Sequence, residues 1–292
     1  MDITLRQLQI FLAVARHEHV SRAAEALLLA QSAVSSALAE LGRQLGGPLV
    51  ERAGRRIALT ERGRRLIPEA EDLVRRADDL LANFRSEGRL AGDLRVGGSS
   101  TIGTYVLPEL IGKFAHAHPD VRVRLTVGNS ADVEQALADR RLDVAFIEGP
   151  PTLPELTATA WRDDCLVVFA APSHRLAAVG TADGRALAGE RWVVREPGSG
   201  TRSVFDAALR DAALQVDARL ELGDSEAVKQ AVRAGLGLGC LSTLAIAREL
   251  ASGDLVAIRT PMLGLQRRLW RLSRRHSHEG RLAAAFVTSA AS

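Results

Sequence analysis

The sequence predicts an α/β protein: a small helical N-terminal domain, a long linking helix, and a larger C-terminal part of alternating strands and helices. Three observations carry that expectation. Apolar residues in the first 50 positions recur at helical spacing. An apolar seam stepping alternately by four and three then runs from Leu66 to Phe84. From Asp93 onward, short apolar runs alternate with helical stretches, the pattern of strands feeding crossover helices. The chain has 292 residues, enough for two or three domains at roughly 100–200 residues each.

In the first segment, Leu8, Phe11, Leu12 and Ala15 share a helical face that His17-Glu18-His19 interrupts. Ser21 is placed to cap a second helix carrying Ala23, Ala24, Ala26 and Leu27. A break near Leu29 and Ala30 leads to a third helix over 31–44. Its apolar face is Val34, Leu38, Leu41 and Leu45, and Gly46-Gly47-Pro48 ends it. Runs at 49–52 and 56–59 flank Ala53-Gly54-Arg55, a hairpin with an arginine-rich tip. Three helices followed by a basic hairpin describe a winged helix-turn-helix. Thr60 then caps the long helix. Its seam is Leu66, Ala70, Leu73, Ala77, Leu80 and Phe84, the spacing needed to pair with another helix. Pro68 is expected to bend it or to remove one backbone bond. SEGRLAG (86–92) reads as a hinge.

In the C-terminal part, strands are expected at 94–96, 121–127, 144–147, 166–170, 191–194, 236–241 and 268–272. Helices are expected at 105–117, 132–139, 201–213, 225–234, 243–251 and 278–288. The alternation argues for mainly parallel sheets.

Charge is uneven along the chain. The net +3 conceals a basic first segment: residues 1–66 hold ten arginines against six acids, a net of +4. Residues 67–92 carry −2, residues 93–265 carry −4, and residues 266–292 carry +5. The first segment is therefore a candidate footprint for a polyanion. The arginine-rich stretch from Arg267 to Arg281 receives no role. A hydrophobic fraction of 47% and a charged fraction of 25% exclude a mainly disordered chain. No apolar stretch approaches the ~20 residues of a membrane span. MDITLRQLQIF has neither a basic leader nor an apolar signal core, so no export is expected. Cys165 and Cys240 form no metal or disulfide pattern and fit a reducing cytoplasm.

Two groups of residues carry candidate chemistry. On the third helix, Gln31, Ser32, Ser35 and Ser36 are short polar groups able to approach base edges and phosphates. Arg22 opens the second helix within reach of a backbone phosphate, and Arg52, Arg55 and Arg56 on the wing suit a backbone or minor groove. The bland alternative is a set of solvated helix and turn residues. The second group is a hydroxyl-rich anion trap. Ser99, Ser100 and Thr101 follow one strand, Asn129 and Ser130 follow the next, and Ser199, Gly200, Thr201 and Arg202 open a later helix. Ligands bind at the carboxyl ends of strands in open α/β sheets, and helix starts favour anions. Glu148 ends a third strand and would disfavour a bare anion unless paired or protonated, which suits a ligand bearing a donor. The alternative is that these are helix caps, which want the same residue types. Arg202 alternatively pairs with Glu196 or another carboxylate. Three glycines at Gly235, Gly237 and Gly239 miss the dinucleotide fingerprint. Histidine pairs two residues apart cannot share a helix face as metal ligands. No catalytic residue, metal or cofactor is assigned.

The stretch 5–63, LRQLQIFLAVARHEHVSRAAEALLLAQSAVSSALAELGRQLGGPLVERAGRRIALTERG, resembles the DNA-binding motif of LysR-type transcriptional regulators. The resemblance extends over essentially the whole chain. GSSTIGTYVLP (98–108) and REPGSGTR (195–202) look most like the subgroup of cysteine-regulon, sulfite-responsive and Calvin-cycle-operon regulators. Ala30, Gly42 and Val50 depart from residues common in the family.

The resemblance implies a DNA-binding domain at 1–60, a linker and dimerisation helix with hinge at 61–92, and an effector domain at 93–292. That domain would be similar to periplasmic binding proteins, with lobe I at about 93–161 and 266–292 and lobe II at about 162–265. The resemblance also puts Ser99, Thr101 and Thr201 at effector-contacting positions, with Ser130 beside them. Implied partners are double-stranded promoter DNA, a small anionic metabolite, RNA polymerase, and copies of the chain as a homodimer or homotetramer (a dimer of dimers). The other classes weighed are a solute-binding protein with a fused helical domain, which would need an export signal, and an enzyme on a binding-protein fold. The enzyme would need a cofactor-attaching cysteine and clustered carboxylates.

Overall fold

The computed structural model describes residues 3–53, 56–85, 89–275 and 279–291. The chain divides into two units, Met1–Gly92 and Asp93–Ser292.

In the first unit, α1 (Leu5–His17) opens on a capping box. Thr4 Oγ1 accepts from the Gln7 amide, and Gln7 Oε1 accepts from the Thr4 amide at 2.8 Å. α2 (Val20–Ala26) starts before the expected cap. His19, with extended backbone, takes the cap position without a side-chain bond. Ser21 lies inside the helix and donates to Gln31 Oε1 at 3.3 Å. α3 (Gln31–Gln44) has the expected bounds, and Ala30 at its cap offers no side-chain acceptor. Gly42 answers to packing: a Cβ there would lie 3.0 Å from the Gly47 carbonyl oxygen.

β1 (Val50–Ala53) and β2 (Arg56–Leu59) pair antiparallel with Val50 opposite Leu59. α4 (Glu61–Arg85) contains Pro68, and Thr60 Oγ1 caps it by accepting from the Gly63 amide at 3.0 Å. Phe11, Val14, Val34, Leu38, Leu41 and Ala70 anchor the core of this unit. The seam of α4 therefore divides. Leu66 and Ala70 join the core, whereas Leu73 and Leu80 stand 50% and 56% exposed, with Leu81, next to the seam, 48% exposed.

The second unit begins with β3 (Gly92–Ser99), α5 (Ser100–Tyr105) and α6 (Leu107–Ala117). The helix expected at 105–117 is α6, with Pro108 in its first turn where its missing N–H costs nothing, and an additional short helix, α5, precedes it with Val106 between the two. β4 (Val121–Gly128), α7 (Ser130–Ala138) and β5 (Val144–Glu148) follow, then β6 (Leu156–Ala170). Next come α8 (Arg175–Val179), α9 (Gly184–Ala188), β7 (Arg191–Arg195), α10 (Gly200–Asp211) and β8 (Asp217–Leu222). The unit closes with α11 (Ser225–Arg233), β9 (Leu238–Ser242), α12 (Thr243–Ser252), β10 (Val256–Ile258), β11 (Gln266–Arg274) and α13 (Arg281–Ala291).

The strands run in the order β4-β3-β5-β11-β6-β9-β7-β8, with β10 also on β6. β3–β5, β7–β8 and β7–β9 are parallel. β11 is antiparallel to both β5 and β6, and β6 is antiparallel to β9 and β10. The sheet is mixed, not mainly parallel. The cause is β6 and β11, which run side by side through its middle. β6 pairs with β11 as far as Cys165 and with β9 from Leu166 onward. One half packs Val133, Leu137, Leu142, Ile147 and Leu272; the other packs Val168, Leu187, Trp192, Phe205 and Leu238. No described helix is long and apolar enough to cross a membrane.

Candidate functional site

α3 separates its residues by face. Val34, Leu38 and Leu41 are buried, and Gln31, Ser32, Ser35 and Ser36 are exposed. Gln31 sits in the first turn, tied to Ser21 of α2, and Arg22 is exposed beside it in sequence. Arg52 and Arg56 occupy the paired strands of the hairpin, opposite Ile57 and Ala53. Arg55 lies outside the described residues. A helix with an outward row of small polar groups, followed by a basic hairpin, matches what groove entry and phosphate contact require.

The second unit builds a buried polar centre. β5 ends at Glu148, α5 brings Thr101, α10 brings Thr201, β6 brings Asp164 and β11 brings Arg267; all five are buried. Glu148 Oε1 accepts from the Thr101 amide at 2.9 Å. Glu148 Oε2 accepts from Thr201 Oγ1 at 3.1 Å and from Arg267 Nη1 at 3.2 Å. Arg267 Nη1 also donates to Thr201 Oγ1 at 3.0 Å, and Nη2 to Thr101 Oγ1 at 3.3 Å. Nε and Nη2 both lie 2.7 Å from Asp164 Oδ2. Ser242 completes the set by donating to Asp164 Oδ1 at 2.8 Å.

Burial works to raise the pKa of Glu148. The Arg267 charge and the two donors of Thr101 outweigh it, so the carboxyl stays below its ordinary value and is ionised. One guanidinium thus faces two carboxylates in a water-poor interior.

The three expected turns do converge. The Ala131 amide donates to Gly198 O at 3.2 Å. A Cβ on Gly200 would lie 2.1 Å from Glu148 O and 2.8 Å from Ser130 Oγ, so only glycine permits this approach. Ser99 and Ser130 are buried and their hydroxyls have no hydrogen-bond partner.

Other members of the expected set are occupied elsewhere. Asn129 Oδ1 caps α7 by accepting from the Asp132 amide at 2.9 Å, and Ser199 Oγ caps α10 by accepting from the Arg202 amide at 3.4 Å. These two follow the helix-cap alternative, because the first turn of a helix has amides to satisfy. Arg202 turns away to Asp206 at 2.9 Å and Glu221 at 3.2 Å, not to Glu196. Ser100 Oγ bridges instead to Arg195, accepting from Nη2 at 3.0 Å and donating to Gly128 O at 3.3 Å. Arg195 is buried and bonds Glu196 and Ser225 as well.

Arg267, Asp164 and Arg195 are absent from the expected set. The signal for Arg267 is present in the sequence. On a strand, alternate residues share a face, and Arg267 and Leu269 follow that alternation up to the register shift between Leu269 and Trp270, after which Leu272 is the buried residue. Among the described residues, no cluster of three or more histidines, cysteines or carboxylates is arranged to hold a metal. Cys240 lies in the core, where burial pushes its thiol pKa up. Burial and Asp164 likewise raise that of Cys165.

Comparison with known proteins agrees over both units. Residues 5–64 match the family model for bacterial regulatory helix-turn-helix proteins of the lysR family, and residues 87–292 match the LysR substrate binding domain. The chain is 43% identical over 278 residues to the HTH-type transcriptional regulator YeiE of Escherichia coli (strain K12), covering 95% of this chain and 94% of YeiE. It is 35% identical to the RuBisCO operon transcriptional regulator of Allochromatium vinosum, over 98% of this chain and 95% of that one. Among solved structures, the regulatory domain of CcmR from Synechocystis PCC6803 in complex with 2-PG superposes with a TM-score of 0.64 at 28% identity. It covers 68% of this chain and 95% of CcmR's.

Proposed function

The chain belongs to the LysR family of transcriptional regulators, and from that premise we propose that it controls promoters in the cytoplasm in response to a small anionic metabolite held at the Arg267 centre. An N-terminal helix-turn-helix domain and a C-terminal periplasmic-binding-protein-like effector domain are what such a regulator is made of, and it is not an enzyme.

In this reading residues 1–60 bind DNA, 61–92 link and dimerise, and 93–292 sense. Gln31, Ser32, Ser35 and Ser36 read or position bases, while Arg22, Arg52, Arg55 and Arg56 hold phosphates. The exposed leucines of α4 pair with a second copy, and two such dimers form the tetramer that meets RNA polymerase at the promoter. The effector takes Ser99, Ser100, Thr101, Ser130, Gly200 and Thr201 as its surroundings.

The observation that carries the anionic effector is the buried Arg267 guanidinium, ringed by Thr101 and Thr201, with the unpartnered hydroxyls of Ser99 and Ser130 on the adjoining turns. A ligand shifts a regulator only through its differential affinity for two arrangements, and the approach of Gly200 to Glu148 and Ser130 gives such an arrangement.

The test is a thermal-shift screen of the full chain with sulfite, sulfate, phosphorylated sugars and small carboxylates, followed by promoter binding with any hit. The Thr101→Val/Thr201→Val double variant is expected to lose the ligand response while still binding DNA. A hit that stabilises the double variant as much as the wild type would refute the site.

A further inference from the structure

Three donors that a small oxyanion would use at the Arg267 centre are already taken by the protein's own carboxylate. Glu148 receives the Thr101 amide, the Thr201 hydroxyl and the Arg267 guanidinium, at 2.9, 3.1 and 3.2 Å. That is the ligation expected of a bound anion, delivered from the end of β5. Asp164 holds the other edge of the same guanidinium, so Arg267 already pairs with two carboxylates, and the nearby Arg195 is itself paired with Glu196. A third anion beside them would meet uncompensated repulsion, which in a low-dielectric interior is severe. Space is tight on the same side. A Cβ on Gly200 would lie 2.1 Å from the Glu148 carbonyl oxygen, 2.6 Å from its Cβ and 2.8 Å from Ser130 Oγ, so the two turns close on the root of the Glu148 side chain. Yet Ser99 and Ser130 keep buried, unpartnered hydroxyls on the adjoining turns, and buried polar groups are rarely left so.

We propose that Glu148 is a tethered stand-in for the effector: its carboxylate fills the anion position in the ligand-free protein, and the effector binds by displacing it from Thr101, Thr201 and Arg267. This rests on the anionic-effector reading above and deepens it. Two consequences follow. The apparent affinity for any anion is reduced by the fraction of molecules in which Glu148 is in place, as in any equilibrium between competent and incompetent forms. Selectivity follows from the same competition, because a ligand must outbid a carboxylate already held by three donors and must also use Ser99 and Ser130, which Glu148 does not reach.

The experiment titrates the full-length protein with sodium sulfate at constant ionic strength, reading calorimetry and thermal shift. Wild type, Glu148→Gln and Glu148→Gln/Arg267→Met are compared. Removing the competing charge should tighten sulfate binding by about tenfold or more, and the double variant should lose that gain. Glu148→Asp, which keeps the charge but draws it back from the donors, serves if the glutamine variant does not fold, and a smaller gain in the same direction is expected. Sulfate binding in Glu148→Gln no tighter than in wild type overturns the proposal. If wild type and Glu148→Gln bind sulfate equally well, the anionic-effector reading stands and the stand-in role alone falls. If no variant responds to sulfate, and the wild type answers none of the anions screened above, both fall.

Discussion

Arg267 is the residue on which the C-terminal unit turns. It is the shared partner of Glu148 and Asp164, and all three are buried. Removing one member of a buried ion group leaves the others uncompensated. Arg267→Met should therefore cost about 3–5 kcal/mol in urea unfolding of the C-terminal unit, and a loss near the ~1 kcal/mol of a single neutral hydrogen bond would contradict this account. The carboxylate side of the group has a pH signature. The folded-state pKa of Glu148 lies below its ordinary 4.5, so its contribution is fully present above that value. It disappears as pH falls below 4.5 and through the depressed folded value. Wild type should lose stability on acidification through that window, and Glu148→Gln should lose less; parallel melting-temperature profiles would contradict the assignment. At this scale the sequence was half legible. Thr101 and Thr201 announce themselves as hydroxyls just past strand ends. Arg267 was hidden in a basic run, because net charge does not distinguish an arginine turned inward from its neighbours turned out.

Among the elements, α4 carries two jobs on one seam. Leu66 and Ala70 complete the core of the N-terminal unit, while Leu73 and Leu80 of the same seam, and Leu81 beside it, remain about half exposed. Exposed leucines at helical spacing are what a second helix would cover. Leu73→Ser/Leu80→Ser/Leu81→Ser should shift the protein from dimer or tetramer toward monomer in sedimentation velocity, without lowering the stability of the N-terminal core. An unchanged oligomer would place the interface elsewhere. The seam was legible because its steps of four and three are a direct imprint of helix geometry. Elements without such an imprint were missed. α8 and α9 span five residues each, too short for a period to show. β8 is exposed over much of its length, so burial never forced apolar residues onto it. In the first half of β6, LTATAWRDD, only Leu156 and Asp164 are buried, so no regular apolar alternation marks it as a strand. α5 spans six residues, STIGTY, again too short for a helical period to show.

For the whole molecule, the division of charge sets how the partner is met. The net +4 of residues 1–66 is the part that faces a polyanion in the proposed function. Promoter affinity should fall linearly with log salt. Arg22→Ala should weaken binding to all sequences alike and lower the slope by about 0.9, the release expected for one phosphate contact. Gln31→Ala should leave the slope alone and relax discrimination at one base pair by about 1–3 kcal/mol. Competition titrations at several salt concentrations separate the two outcomes; a slope change in Gln31→Ala, or none in Arg22→Ala, would reverse their roles.

The two half-sheets of the C-terminal unit share β6, a 15-residue strand that passes from one to the other with a single register shift against β11, opposite Leu269 and Trp270. A door on a pin swings freely and rests anywhere. A continuous hydrogen-bonded ribbon behaves as a leaf spring, taking up deformation as slight bend and twist spread over many residues. Its travel is short, its restoring force is built in, and it recoils once the load is gone. Gene control coupled to such an element would track the present ligand concentration and keep no record of past exposure.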